Sequence, residues 1–120
     1  VRNMAEITAA GYQTIRDYVQ ANWNYIEIRD DVGAAIMRIP TSDPRCSWIH
    51  APGDQVLKLQ VIITGSDSDI TLPVTIAGAA MYDVASGGNA LAEGTFTAAT
   101  LEADADQVKV EIDIQVPQVV

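Results

Sequence analysis

The residues that usually carry catalysis and cross-linking are scarce in this chain. There is one cysteine, Cys46, and one histidine, His50, in 120 residues. A lone cysteine excludes an intrachain disulfide framework and any cysteine-rich zinc site, and it is compatible with a reducing compartment. A lone histidine leaves no second imidazole to complete a zinc centre. Basic residues are few: seven against sixteen acids, for a formal net charge of −9. No two of Arg2, Arg16, Arg29, Arg38, Arg45, Lys58 and Lys109 are adjacent. Binding to a nucleic-acid backbone needs clustered Lys and Arg to displace counterions, so nucleic acid is not an expected partner. An anionic membrane is not expected either, and no apolar run approaches the roughly 20 residues of a spanning helix. The first six residues show neither the basic nor the apolar region of a secretory signal. The chain opens Val-Arg-Asn-Met, so Val1 and Met4 both stand as candidate starts.

What the chain does have is apolar residues in strict patterns. With 48 % hydrophobic and 19 % charged residues it reads as globular, and its length suits one domain spanning residues 1–120. The only helical period lies in AEITAAGYQTIRDYVQANW, where Tyr12, Ile15, Val19 and Trp23 share a stripe and Arg16, Asp17 and Gln20 fall elsewhere. With Thr8 as N-cap, the spacing predicts a helix over about residues 9–22. From Tyr25 the period becomes two. Ile26 and Ile28 alternate with polar neighbours, and RDDVG turns the chain into residues 34–39, which predicts a hairpin. Further strands are expected over residues 45–50, over 57–63 (Leu57, Leu59, Val61 and Ile63 on one face), and over 70–76. Pro73 marks that last one as an edge strand. Gly78 to Val84 reads as a separate run, followed by a flexible turn at SGGN, a weaker strand over 95–101, and a final strand with Val108, Val110, Ile112, Ile114 and Val116 inward. One helix followed by seven or eight short strands is the pattern of a mainly β protein, an antiparallel sandwich over about residues 25–117.

Candidate chemistry is confined to acids and aromatics. Glu102, Asp104 and Asp106 imitate the first alternating ligands of a helical calcium loop, and Asp67 and Asp69 could join them from a second loop. The imitation stops at Gln107, where that loop needs Gly, and at Asp113, where it prefers a bidentate Glu. The plainer reading of EADAD is a solvated acidic turn before a strand, with Ca²⁺ as the only cofactor worth testing. Cys46 and His50 share strand parity but lie about 13 Å apart at that spacing, beyond the hydrogen-bond reach of an activated nucleophile. Gly87-Gly88 lacks the Lys-Ser/Thr and the helix of a phosphate loop. Catalysis is therefore not expected. Tyr18 and Tyr25 lie off the main apolar parities and could anchor a protein partner or stack on sugar.

Two segments carry a resemblance. ITAAGYQTIRDYVQANWNYIEIRDDVGAAIMRI resembles the opening of small structural proteins of tailed-bacteriophage virions, with an I-T-x-A-G phrase, a short helix and then β-structure. Residues 74–117 are similar to the closing phrase of phage tail-fibre and baseplate-associated modules. The matching residues are Ala80-Met81-Tyr82, Gly87-Gly88, Phe96-Thr97-Ala98-Ala99-Thr100 and Asp106 to Ile114. The resemblance implies a virion protein made in the host cytoplasm, without catalytic residues, working by self-association and docking on other virion proteins in the tail or as capsid decoration. It implies a homo-oligomer, with a trimer as the leading candidate. The long final strand would augment a neighbour's sheet, with Val116 and Val119 in the apolar stretch that continues past it. The competing expectation is a carbohydrate-binding sandwich assisted by calcium; a hydrolase ranks last.

Overall fold

A computed structural model describes residues 5–116. Helix α1 (Ala9–Asn22) is followed by seven strands, β1 (Tyr25–Arg29), β2 (Ala35–Pro40), β3 (Cys46–Trp48), β4 (Val56–Thr64), β5 (Val74–Tyr82), β6 (Ala92–Leu101) and β7 (Gln107–Gln115). They form two antiparallel sheets, one in the order β2-β1-β5-β6 and one in the order β3-β4-β7. The protein is mainly β and sandwich-like, with one N-terminal helix.

The helix starts where the Thr8 hydroxyl accepts the Gly11 amide at 3.2 Å, satisfying one of the free N–H groups of the first turn. It stops at Trp23, whose amide still reaches the Val19 carbonyl at 2.9 Å. Its buried face is Tyr12, Arg16 and Val19, whereas Ile15 is exposed. The expected stripe is thus shifted by one residue at its second position. Arg16 can lie inside because its aliphatic stem packs as an apolar group while Nε and one terminal nitrogen donate to the Gln13 side chain. His50, between β3 and β4, ties the helix to the three-stranded sheet. Its Nδ1 accepts the Lys58 amide at 3.1 Å, so Nε2 carries the proton and donates to Gln20 Oε1 at 3.0 Å.

The core lies between the sheets. Ile26 and Ile28 of β1, Leu57, Leu59, Val61 and Ile63 of β4, Ile76 and Met81 of β5 and Val110 and Ile114 of β7 belong to one buried cluster. The alternation expected over 57–63 holds at every position, since each inward residue is buried and Lys58 is exposed. Residues 70–84 differ from expectation. Pro73 does not sit within an edge strand; it precedes β5, after a cis Leu72–Pro73 bond, and β5 then runs unbroken through Gly78 to Tyr82. This strand is central, paired with β1 and β6. Proline's missing donor is harmless at a strand entrance, so the two runs that looked separate are one strand.

β5 is longer than β1, which pairs only with Gly78 to Tyr82. The register also slips between Ile28 and Arg29 in the β1–β2 ladder and between Ile76 and Gly78 in the β5–β6 ladder. Such bulges bend a strand and raise its twist. β6, the edge strand beyond the second slip, lies largely outside the core. Every residue from Glu93 to Ala98 is exposed, whereas Leu101 at the other end is buried.

Candidate functional site

Among the described residues, β7 has β4 on one side and no strand on the other, so one side of its nine-residue backbone is unpaired by them. β6 is likewise the last strand of its sheet. The two are joined by the turn through residues 102–106, and beyond that turn the layers part. The gap is a groove of about 210 Å³ reaching from Glu93 to Phe96 on β6 to Glu111, Ile112 and Asp113 on β7, with Ala79 and Ala92 at its base. Ile112 points inward by parity but stays half-buried, because no described strand covers this side of the sandwich. Phe96 is 36 % exposed, an apolar ring left at the margin. The outward face of β7 carries Lys109, Glu111 and Asp113, set by the register opposite Ile62, Gln60 and Lys58 of β4. Charges along an edge discourage indiscriminate pairing and demand a complementary neighbour.

The helix offers a second apolar surface. Tyr18 is 62 % exposed, Ile15 is exposed one turn before it, and Ile7 is exposed just ahead of the helix. Tyr25 is half-buried at the start of β1, opposite Pro40 on one side and Tyr82 on the other. Val116 is half-buried directly after β7, while Val119, with the rest of the tail and the Val1 and Met4 starts, lies outside the described residues.

The five acids considered for calcium go two ways. Asp67 and Asp69 turn towards Arg45, at 3.2 and 2.9 Å, and Asp43 joins them at 3.0 Å. One guanidinium thus serves three carboxylates. The Arg45 hydrogen bonds hold the Asp43 and Asp69 carboxyls below the usual carboxylate range, and those to Asp69, Asp43 and Asp67 push the guanidinium's own pKa up. The Asp106 carboxylate accepts the Glu102 and Ala103 amides at 2.8 and 3.0 Å, which lowers its pKa by stabilising the charged form. Glu102 and Asp104 are exposed. The two acidic loops do lie side by side, since the Gly65 amide donates to the Asp106 carbonyl at 2.8 Å. Among the described residues, however, no three His, Cys, Asp or Glu side chains gather as a metal-holding group. Burial, followed by the nearby Asp43 charge, pushes the Cys46 thiol up to about 11, away from the thiolate a nucleophile requires.

Sequence reasoning missed a second charged network, on the outer face of the four-stranded sheet. Glu27 is buried there, flanked by Arg29 at 3.2 Å and Arg38 at 3.5 Å. Arg29 also donates to Glu93 and to the Tyr82 hydroxyl, each at 2.7 Å, and the Arg38 guanidinium lies 3.5 Å from the Tyr82 ring centre. The bond to Glu93 contributes most to raising the Arg29 pKa. The signal was present in the predicted hairpin, where Glu27 and Arg38 share the outward parity and pair directly. What could not be read was Glu93, which is 64 positions from Arg29 along the chain.

No protein-family profile, curated protein or solved structure matches the chain. No described helix is long and apolar enough to cross a membrane.

Proposed function

We propose that the chain is a non-enzymatic structural protein that works by self-association and docking, of the tailed-phage virion type that its sequence resembles. The observation that carries this reading is the unpaired edge of β7 beside the open groove to β6. A strand laid along β7 would satisfy its free N–H and C=O groups and cover Ile112 and Phe96. The exposed Ile7, Ile15 and Tyr18 give the helix a separate contact surface, suited to a different neighbour in an assembly. The groups that could serve chemistry are engaged structurally: Arg45 with its three aspartates, His50 with Gln20 and Lys58, and Cys46 with a raised pKa.

Light scattering on the eluting protein tests the assembly. The expected result is a mass that is a small multiple of 12.8 kDa. Ile112→Lys, which places a charge in the groove, should return the mass to that of one chain with the melting point little changed. A monomer at every concentration would overturn self-association. Mass spectrometry of purified phage particles tests the virion assignment: peptides of this chain should co-sediment with the particles, and their restriction to the soluble lysate would contradict it.

A further inference from the structure

On the outer side of β6 lies a second and larger hollow, of about 540 Å³, within the range of small-ligand sites. It forms because β1 ends at Arg29 while β5 and β6 continue, and both register slips of the four-stranded sheet border it. Bulges of this kind re-aim side chains and are frequent beside binding sites. Gly33, Ala77, Gly78 and Gly94 keep the floor and rim low, and Phe96 stands at one wall. Facing it are Arg29, Asp30 and Asp31, with Glu93 and Thr95 on the β6 side.

The lining is chemically mixed. Arg29 and Glu93 neutralise one another at 2.7 Å. The Asp30 carboxylate accepts the Val32 and Ala34 amides through one oxygen, at 3.0 and 2.8 Å, which leaves the other oxygen available. Asp31 is exposed on the turn, and Arg29 commits only three of its five N–H groups to side-chain bonds. With the Arg29–Glu93 pair neutral, Asp30 and Asp31 leave the lining net negative, which disfavours an anion. A hydroxyl donates to carboxylates and accepts from a guanidinium, so adjacent hydroxyls satisfy both. An aromatic wall adds an apolar surface for a ring's C–H face.

We infer that this hollow is a binding site for a neutral polyhydroxylated ring, that is, a sugar unit, with Phe96 as the apolar wall and Asp31, Arg29 and Glu93 as hydroxyl partners. None of the five acids considered for calcium lines it, so it is a different site from that candidate. The hollow shares Glu93, Gly94, Thr95 and Phe96 with the groove beside β7, so titrating the Ile112→Lys variant as well separates sugar binding from assembly.

Amide chemical-shift titration of the full chain with a panel of neutral hexoses and N-acetylhexosamines tests the site. At least one sugar should give saturable shifts at Gly33, Gly78, Gly94 and Thr95 with a dissociation constant in the millimolar range or tighter. Phe96→Ala and Asp31→Ala should each weaken binding about tenfold or more, and Phe96→Tyr should retain it. Asp31 is on an exposed turn, so its variant keeps the test valid if Phe96→Ala disturbs the strand. The inference is overturned if no sugar gives saturable shifts, or if the shifts map elsewhere. It is also overturned if both alanine variants bind as the parent does, or if N-acetyl-lysine methylamide binds more tightly than any sugar.

Discussion

Arg45 shows how a residue's role depends on neighbours that are far away in the sequence. Asp67-x-Asp69 looks like a cation motif when read along the chain, yet both carboxylates are held by a guanidinium more than twenty positions earlier. Each of these ion pairs is partly exposed and contributes roughly 0.2–1 kcal/mol, so Arg45→Met should cost on the order of 1–2 kcal/mol in urea denaturation. The pH dependence has a definite sign. Asp43 and Asp69 have lowered folded-state values, so their stabilisation is complete above the unfolded carboxylate value, about 3.9, and is lost as pH falls through the lower folded values. Wild-type stability should therefore decline below about pH 4, and the Arg45→Met variant should decline less steeply over the same range. Because Arg45 holds Asp67 and Asp69, and Asp106 accepts the turn amides, only Glu102 and Asp104 of the five stand exposed, and replacing EDTA with Ca²⁺ should leave the melting temperature unchanged. A ligand that bound only the native state would raise it. The turn role of Asp106 was legible, because an Asp a few residues after a strand end can reach back to free amides. The Arg45 cluster was not, since spacing along a chain carries no information about which loops meet.

Helix and strand boundaries followed from periodicity wherever one face was buried. The helix bounds and the inward face of β4 come directly from residue spacing, since burial on one side leaves a repeat of 3.6 or 2. Periodicity failed at Arg16, where a charged residue with a long apolar stem took a buried position that Ile15 gave up. It failed again at Pro73, where a proline at a strand entrance was indistinguishable from one within an edge. The meeting of the two acidic loops makes a demanding contact at Gly65. A Cβ there would lie 2.0 Å from the Ala103 carbonyl oxygen, a backbone atom that cannot swing aside. Gly65→Ala should therefore push the β4–β5 and β6–β7 loops apart and cost about 1–3 kcal/mol, read as a lower denaturation midpoint. In the core of the same sheet, Leu59→Ala should cost about 2–5 kcal/mol, because Leu59 is fully buried and its loss leaves a cavity.

The molecule as a whole is elongated, 64 × 27 × 24 Å, with a radius of gyration of 16.5 Å. A compact domain of this length would have a radius of about 13.6 Å. The excess goes with much exposed surface for a small core, and with a sandwich that is closed at the acidic turns and open along β6 and β7. Two antiparallel layers and their core were readable from the strand pattern. The open side was not, because it depends on which strands end as neighbours, which spacing along the chain does not reveal. Amide hydrogen exchange along β7, compared between dilute and concentrated protein, bears most directly on assembly through this edge. If a neighbouring strand pairs there, the β7 amides that do not bond to β4 should exchange markedly more slowly in the concentrated sample, and Ile112→Lys should abolish the difference. Exchange along β7 that is unchanged by concentration, in a protein that light scattering shows to be oligomeric, would contradict assembly through this strand.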